Sequence, residues 1–317
     1  MSEFLTIGEP LVVFEACDQD LPLEQVNHFD KYLAGAELNV AIGVRRLKHQ
    51  VSYISAVGND PFGIFIRNSL ENAGISTNDL FGDANHWTGF YLKQRVSHGS
   101  PGTYYYRKNS AAANLTEEAV AQIDLSDTKI AHLTGIYAAL SQNSITAYKK
   151  LNYRLLQQGT LITFDPNLRA TLWDSTAQMV STINNLAKDS HIVLPGIHEG
   201  EILMGSSNPE EIADFYLEQS PITQAVVVKL GPAGAFVKER GLNGYVVPGF
   251  EVEQVADTVG AGDGFAVGLI SALLENYSLK QAVRRACAIG AMAVQSYGDS
   301  DGYPDKNQLE KFYQKQK

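Results

Sequence analysis

The sequence predicts an α/β fold built on a doubly wound, mostly parallel sheet with helices on both faces. Three observations predict it. Short apolar runs alternate with helical patterns along most of the 317 residues, which is the rhythm of βαβ units. No stretch rich in Pro, Gly and Ser cuts the chain, so it reads as one domain over 1–317. Two segments, at about 10–34 and 88–109, break the rhythm and read as a small accessory sheet inserted in the core.

Taken in order, the first break runs from Leu11 to Ala34. Val51 to Val57 then reads as a strand. Pro61 to Asn72 reads as a helix, with Pro61 suited to its first turn and Gly74 to its stop. Thr88 to Asn109 holds two aromatic strands around Ser97-His-Gly-Ser-Pro-Gly102, a hairpin. That hairpin is read either as a lid over a site or as a surface or dimer-contact element. Ile130–Leu133, Leu161–Phe164, Ile192–Leu194 and Ala225–Val228 read as short buried strands with helical patterns between most of them. Ala266 to Glu275 reads as a buried helix. In such folds ligands bind at the carboxyl ends of the strands.

Composition narrows the function. A hydrophobic share of 44% and a charged share of 19% suit a soluble globular chain with ample core. A net charge of −10 disfavours nucleic acid as a partner. An anionic substrate then needs local cations, because the global field repels it. The two cysteines, Cys17 and Cys287, make neither a disulfide framework nor a zinc site; they read as reduced thiols packed as small apolar groups. The seven histidines show no metal-ligand spacing. The segment Met1-Ser2-Glu3-Phe4 has no basic region, and no apolar run approaches the ~18 residues of a membrane span. The expectation is a cytoplasmic protein with no membrane partner.

Chemistry concentrates in Asp257-Thr-Val-Gly260-Ala261-Gly262-Asp263, just before the apolar helix. Glycines at a helix N-terminus expose backbone N–H groups and let a phosphate approach closely. The positive end of the helix dipole favours anions there, as phosphoryl transfer requires. Asp263 among these donors is placed to take a proton from a substrate hydroxyl; the bland reading is a first-turn acid beside a turn. Its place at a helix N-terminus predicts a lowered pKa. A Walker A run is missing, and the third position of a dinucleotide-type G-x-G-x-x-G holds Phe265. The second signal is Ala34-Gly35-Ala36-Glu37-Leu38-Asn39. Gly35 and Asn39 either face a polyol substrate or cap a helix.

Together, Gly35-Ala36-x-x-Asn39-x-Ala41, Gly58-Asn-Asp60-Pro-Phe-Gly63 and Asp257-Thr-x-Gly-Ala-Gly-Asp263, in this order, resemble the signatures of the ribokinase-like (PfkB) carbohydrate kinases. The resemblance spans nearly the whole chain. It implies a three-layer ribokinase-like fold with a small β-sheet lid, and ATP with Mg²⁺, with a monovalent cation as a further candidate. It implies Asp263 as catalytic base beside an anion hole of Gly260, Ala261 and Gly262. Lys229, Gly231 and Gly234 resemble the family's strand-end loop along the nucleotide, with Asn167 and Arg169 near the phosphates. Asp299 is implied to contact a substrate hydroxyl. Where many members carry Asn-x-x-Glu, this chain has Gly196 in place of Asn and keeps Glu199, an indirect metal candidate.

The segments Tyr104-Tyr-Tyr-Arg107-Lys108 and Asp165-Pro-Asn-Leu-Arg169 resemble members acting on a sugar acid, 2-keto-3-deoxygluconate, at its 6-hydroxyl. The residues agree: a sugar acid needs a cation for its carboxylate, and arginine offers a planar fork. Arg107 and Arg169 are the candidate cations; Gly35, Ala36, Tyr91, Tyr105 and Tyr106 join them around the sugar, although successive tyrosines on one strand alternate faces. A fructokinase-like hexose kinase and a non-catalytic sensor stay open beside this reading. Aromatic edge strands in the lid suggest a homo-oligomer formed through that sheet.

Overall fold

The computed structural model describes residues 2–99 and 101–316; Met1, Ser100 of the expected hairpin turn, and Lys317 lie outside the described residues. In chain order the strands are β1 (Phe4–Ile7), β2 (Leu11–Gln19), β3 (Phe29–Ala34), β4 (Val51–Gly58), β5 (Leu80–Asp83), β6 (Phe90–Arg95), β7 (Thr103–Tyr106), β8 (Ile130–Thr134), β9 (Leu161–Asp165), β10 (Ile192–Val193), β11 (Ala225–Lys229), β12 (Gly234–Glu239) and β13 (Tyr245–Pro248).

Nine of them form one sheet in the order β13-β12-β11-β10-β9-β8-β1-β4-β5. Pairing is parallel from β11 to β5 and antiparallel only at the β12–β13 edge. The chain builds outward from β1 to β5, then returns beside β1 with β8 and builds the other way. The order therefore reverses between β1 and β8, where a doubly wound sheet opens its binding crevice.

Helices cover both faces, which makes the strands near-continuously apolar. Alternate residues feed opposite cores. Phe4, Tyr53 and Val227 join one core with the helices Ala36–Arg46, Ala261–Leu274 and Leu279–Ala293. Leu5, Ile54 and Val226 join the other with Gln142–Gln158, Thr176–Ala187 and Pro209–Gln219. Local signals set the helix ends. Ser141 and Ser144 form a capping box, and Gly159 closes that helix at φ +79°. No helix among the described residues is long and apolar enough to cross a membrane.

The remaining strands form a separate sheet, β3-β2-β6-β7. Its outer pairs are antiparallel and its central β2–β6 pair is parallel. The Gly58-x-Asp60-x-x-Gly63 motif anchors it. Asp60 caps the Pro61–Asn72 helix at Gly63 N (2.8 Å) and also accepts the backbone N–H (2.8 Å) and hydroxyl (2.9 Å) of Thr88, just before β6. This motif works on architecture and not on chemistry.

Candidate active site

The carboxyl ends of β1, β8, β9 and β11 and the inner face of the small sheet enclose a cavity of about 680 Å³. The glycine-rich segment forms one wall. Gly260 stands at the start of the Ala261–Leu274 helix with φ +76°, a conformation that a side chain strains, and a Cβ there would run into the Asp299 carbonyl oxygen. Tyr303 fixes this turn by donating its hydroxyl to Gly260 O at 2.7 Å. Asp263 sits in the first turn of the helix.

Asn39 joins the two distant motifs. Buried on the Ala36–Arg46 helix, it donates Nδ2 to Asp263 Oδ2 at 2.9 Å. The side chain is spent on the aspartate and not on capping; Gly35 fills the cap position with φ +136°. The expected lowering of the Asp263 pKa is overturned: the carboxyl is pushed up to about 7. Burial is the main cause and the Asp165 and Asp299 charges add to it, outweighing the Asn39 hydrogen bond and the Arg169 charge. Asp299, also lining the cavity, is raised to about 6 by burial, with Asp257 and Glu15 adding to it against the pull of Lys93.

Across the cavity, Lys229 at the end of β11 places Nζ 2.6 Å from Asp165 Oδ2 at the end of β9. Burial opposes its charge, but Asp165 and Glu199 hold the ammonium above the usual lysine range. Asn167 turns the chain after β9 at φ +41°, a conformation Asn tolerates, and its N–H donates to Asp165 Oδ1 at 3.1 Å. Glu199 accepts the backbone N–H groups of Leu168 (3.0 Å) and Gly196 (2.7 Å), so both its oxygens already serve the local fold. Burial raises its pKa. Arg169 is exposed and lines the cavity, with Nη1 donating to Leu168 O at 2.9 Å.

At the sugar-sized end, Gly35, Ala36, Tyr91, Tyr105 and Arg107 all line the cavity. The Tyr91 and Tyr105 rings lie 4.9 Å apart on paired strands. Tyr106 does not join them, which corrects its assignment to the substrate. It points to the opposite face and stacks on Phe90 at 4.9 Å and 8°, as strand alternation dictates. Arg107 is buried, and Nε (2.6 Å) and Nη2 (2.5 Å) both reach Glu9 Oε2, while the Ser110 hydroxyl donates to Glu9 Oε1. Sequence reasoning missed Glu9, although a carboxylate just past the end of β1, at the switch point, was a usable signal.

An apolar cleft of about 310 Å³ adjoins the cavity and shares Lys229, Gly231 and Gly262 with it. Gly234 and Ala261 face this cleft and not the main cavity. Phe250, Val255 and Val294 line it, a surface suited to a flat aromatic base. Among the described residues no three His, Cys, Asp or Glu side chains group to hold a metal ion.

The chain has relatives along nearly its whole length. The model of the pfkB family of carbohydrate kinases matches residues 1–306. The chain is 42% identical over 318 residues to 2-dehydro-3-deoxygluconokinase of Bacillus subtilis (strain 168), covering 99% of this chain and 96% of that one. Among solved structures, a PfkB protein from Polaromonas sp. JS666 aligns with a TM-score of 0.88 at 39% identity, over 98% of this chain and 99% of that one. A putative ribokinase II from E. coli in complex with ATP and Mg²⁺ aligns with a TM-score of 0.89 at 27% identity, over 99% of this chain and 100% of that one.

Proposed function

Because the chain belongs to the pfkB family of carbohydrate kinases, we propose that it transfers the γ-phosphoryl group of ATP to the 6-hydroxyl of 2-keto-3-deoxygluconate. One observation carries the reading: Asn39 and Asp263, 224 residues apart, meet in a cavity that also holds the glycine-rich helix start, two tyrosines and two arginines. The 42% identity to a 2-dehydro-3-deoxygluconokinase supports the sugar acid.

In this mechanism Asp263 takes the hydroxyl proton while the bond between the γ-phosphorus and its bridging oxygen breaks. A phosphorus–oxygen bond to the sugar forms, and ADP leaves. A carboxyl near pH 7 is matched to general-base work. The backbone N–H groups at Gly260–Gly262 face the charge that spreads over the phosphoryl oxygens. Lys229, fixed by Asp165, adds a buried cation, and Arg169 and Asn167 border the same phosphate region. The Gly231–Gly234 loop and the apolar cleft hold the base. Mg²⁺, when bound, would supply neutralisation of the phosphate charge. Glu199 would act on it only through water. Tyr91, Tyr105 and Asp299 serve the sugar hydroxyls, and Arg107 and Arg169 serve its carboxylate. A monovalent cation belongs to the proposal only through the family resemblance, and leaving potassium out of the assay tests it.

One observation favours a second reading, a fructokinase-like hexose kinase: Glu9 already balances Arg107, leaving less positive charge for a sugar acid. ATP consumption with 2-keto-3-deoxygluconate, fructose, ribose and adenosine separates the two. The sugar acid should be turned over far faster than fructose, and Arg169→Ala and Arg107→Ala should each erode that advantage. Faster turnover of fructose, with both variants indifferent, would replace the sugar-acid reading with the hexose one.

A further inference from the structure

Lys93 on β6 links the small sheet to the glycine-rich segment. Lys93 lies two residues after Tyr91, so both side chains leave the same face of the strand. Tyr91 covers the sugar end of the cavity. Lys93 is largely buried, its Nζ 3.6 Å from Glu15 Oε1 on β2 and 3.8 Å from Asp257 Oδ2. Asp257 opens the segment that runs into Gly260. Its other oxygen, Oδ1, accepts the backbone N–H of Val259 at 3.0 Å. One carboxylate thus joins a strand of the small sheet to the backbone immediately before the phosphate-facing N–H groups. Lys93 also bears on Asp299, where it is the leading charge opposing burial.

We propose that Lys93 is a positioning residue that couples closure of the small sheet over the sugar to the orientation of the Val259–Gly262 backbone. When β6 sits over the cavity, the ammonium draws Asp257 toward the sheet, and Asp257 holds Val259 and the turn behind it. When β6 lifts, that hold is lost and the anion hole loosens. The phosphoryl group then meets its donors only over a sugar that has closed the sheet, which protects ATP from water. An exposed ion pair would be too weak for this; Lys93 and both its partners are largely shielded from solvent. The inference rests on the phosphate-site reading of Gly260–Gly262 and Asp263, and not on which sugar is bound.

The test is Lys93→Met, which keeps the stem and removes the charge, assayed on whichever acceptor the wild type phosphorylates fastest. A small misplacement of catalytic donors costs up to about 100-fold in rate, so kcat should fall by about 10- to 100-fold while KM for ATP stays near wild type. Lys93→Arg should recover most of the loss. Adding Lys93→Met to Asp257→Asn should cost little more than Asp257→Asn alone, because the two act as one contact. A pH profile separates positioning from packing. Asp299 is faced by Lys93 and Tyr91 on β6, Glu15 on β2, Asn39 and Arg46 on the Ala36–Arg46 helix, Asp257 and Asp263 in the glycine-rich segment, and Tyr303. Removing Lys93 raises the Asp299 pKa, so the lower step of the kcat/KM acid limb, which belongs to Asp299 and lies beneath the Asp263 step, should move to higher pH. Unchanged kcat with an unmoved acid limb would overturn the proposal. If Lys93→Met does not fold, Asp257→Asn carries the same test, and full activity in it is equally fatal. Asp263→Asn run alongside reads the phosphate site itself: full activity there sinks that site reading, whatever Lys93 does.

Discussion

Burial and the neighbouring Asp165 and Asp299 charges hold the Asp263 carboxyl at about 7, against an ordinary value of 3.8, and this acts on rate and stability in opposite directions. For rate, the proposed role of Asp263 as base requires its ionised form. The kcat/KM profile should therefore climb through an acid limb near pH 7, and Asp263→Asn should lose about 10²- to 10⁴-fold in kcat. For stability, the folded state holds this proton more tightly than the unfolded chain does. Between the unfolded value of 3.8 and the folded value of about 7, the unfolded chain ionises first, so stability falls as pH rises through that window. It is fully restored below it. Asparagine carries no such burden and can keep a hydrogen bond with Asn39. Asp263→Asn should thus melt at a higher temperature than wild type at pH 8, with the gap closing toward pH 4. Equal melting temperatures at pH 8 would show that the carboxylate is not strained by its surroundings.

At the scale of elements, what the sequence revealed depended on how local the cause is. The Pro61–Asn72 helix was legible from Pro61 and Gly74 because caps act within a turn. Five of the nine strands of the large sheet, β4 and β8 to β11, were legible because burial on both faces leaves continuous apolar runs, while β1, β5, β12 and β13 were not read. The sign of the Asp263 shift was not, because its main cause is burial in the assembled cavity, and the charges that add to it, Asp165 and Asp299, lie far along the chain. The alternation of Tyr104, Tyr105 and Tyr106 was readable, but which of them faces the sugar depends on the Tyr91–Tyr105 pairing. Arg107 looked like a bare cation because Glu9 lies 98 residues away. The glycine-rich turn allows a paired prediction. Gly260→Ala forces a side chain into left-handed backbone, at about 1–2 kcal/mol, and into the Asp299 carbonyl, so it should lower both the melting temperature and kcat. Gly262 has no positive φ, and the nearest heavy atom to an added Cβ is Lys229 Nζ at 4.0 Å. Gly262→Ala should melt like wild type and lose rate by crowding the phosphate. Similar melting curves for both variants would count against the turn as a strained element. On the β6–β7 hairpin, Tyr105→Ala should raise KM for the sugar and Tyr106→Ala should leave it near wild type.

At the scale of the whole molecule, the two sheets are covered unequally. The large one is packed on both faces. The small one turns one face to the cavity and the other toward the Pro61–Asn72 helix, where Phe62 packs against Phe14 (5.4 Å) and Phe90 (5.6 Å). That cover stops short of β7: Tyr104 is 61% exposed and Tyr106 51%. Among the described residues, the outer strands β3 and β7 also have no further strand beside them in this sheet. Exposed aromatic rings beside an unpaired strand edge favour association, and a chain with net charge −10 resists it except where such a surface repays the repulsion. We therefore expect the small sheets of two copies to pack together in solution. Light scattering during gel filtration should give a multiple of 34.6 kDa. The double variant Tyr104→Asp/Tyr106→Asp should return the mass of one chain, and since neither side chain lines the cavity, the site itself stays intact. A rise in sugar KM in that variant would then mean that the partner's sheet steadies β6 and β7 over the substrate. A single-chain mass for the wild type, at concentrations well above those of the assay, would rule this association out.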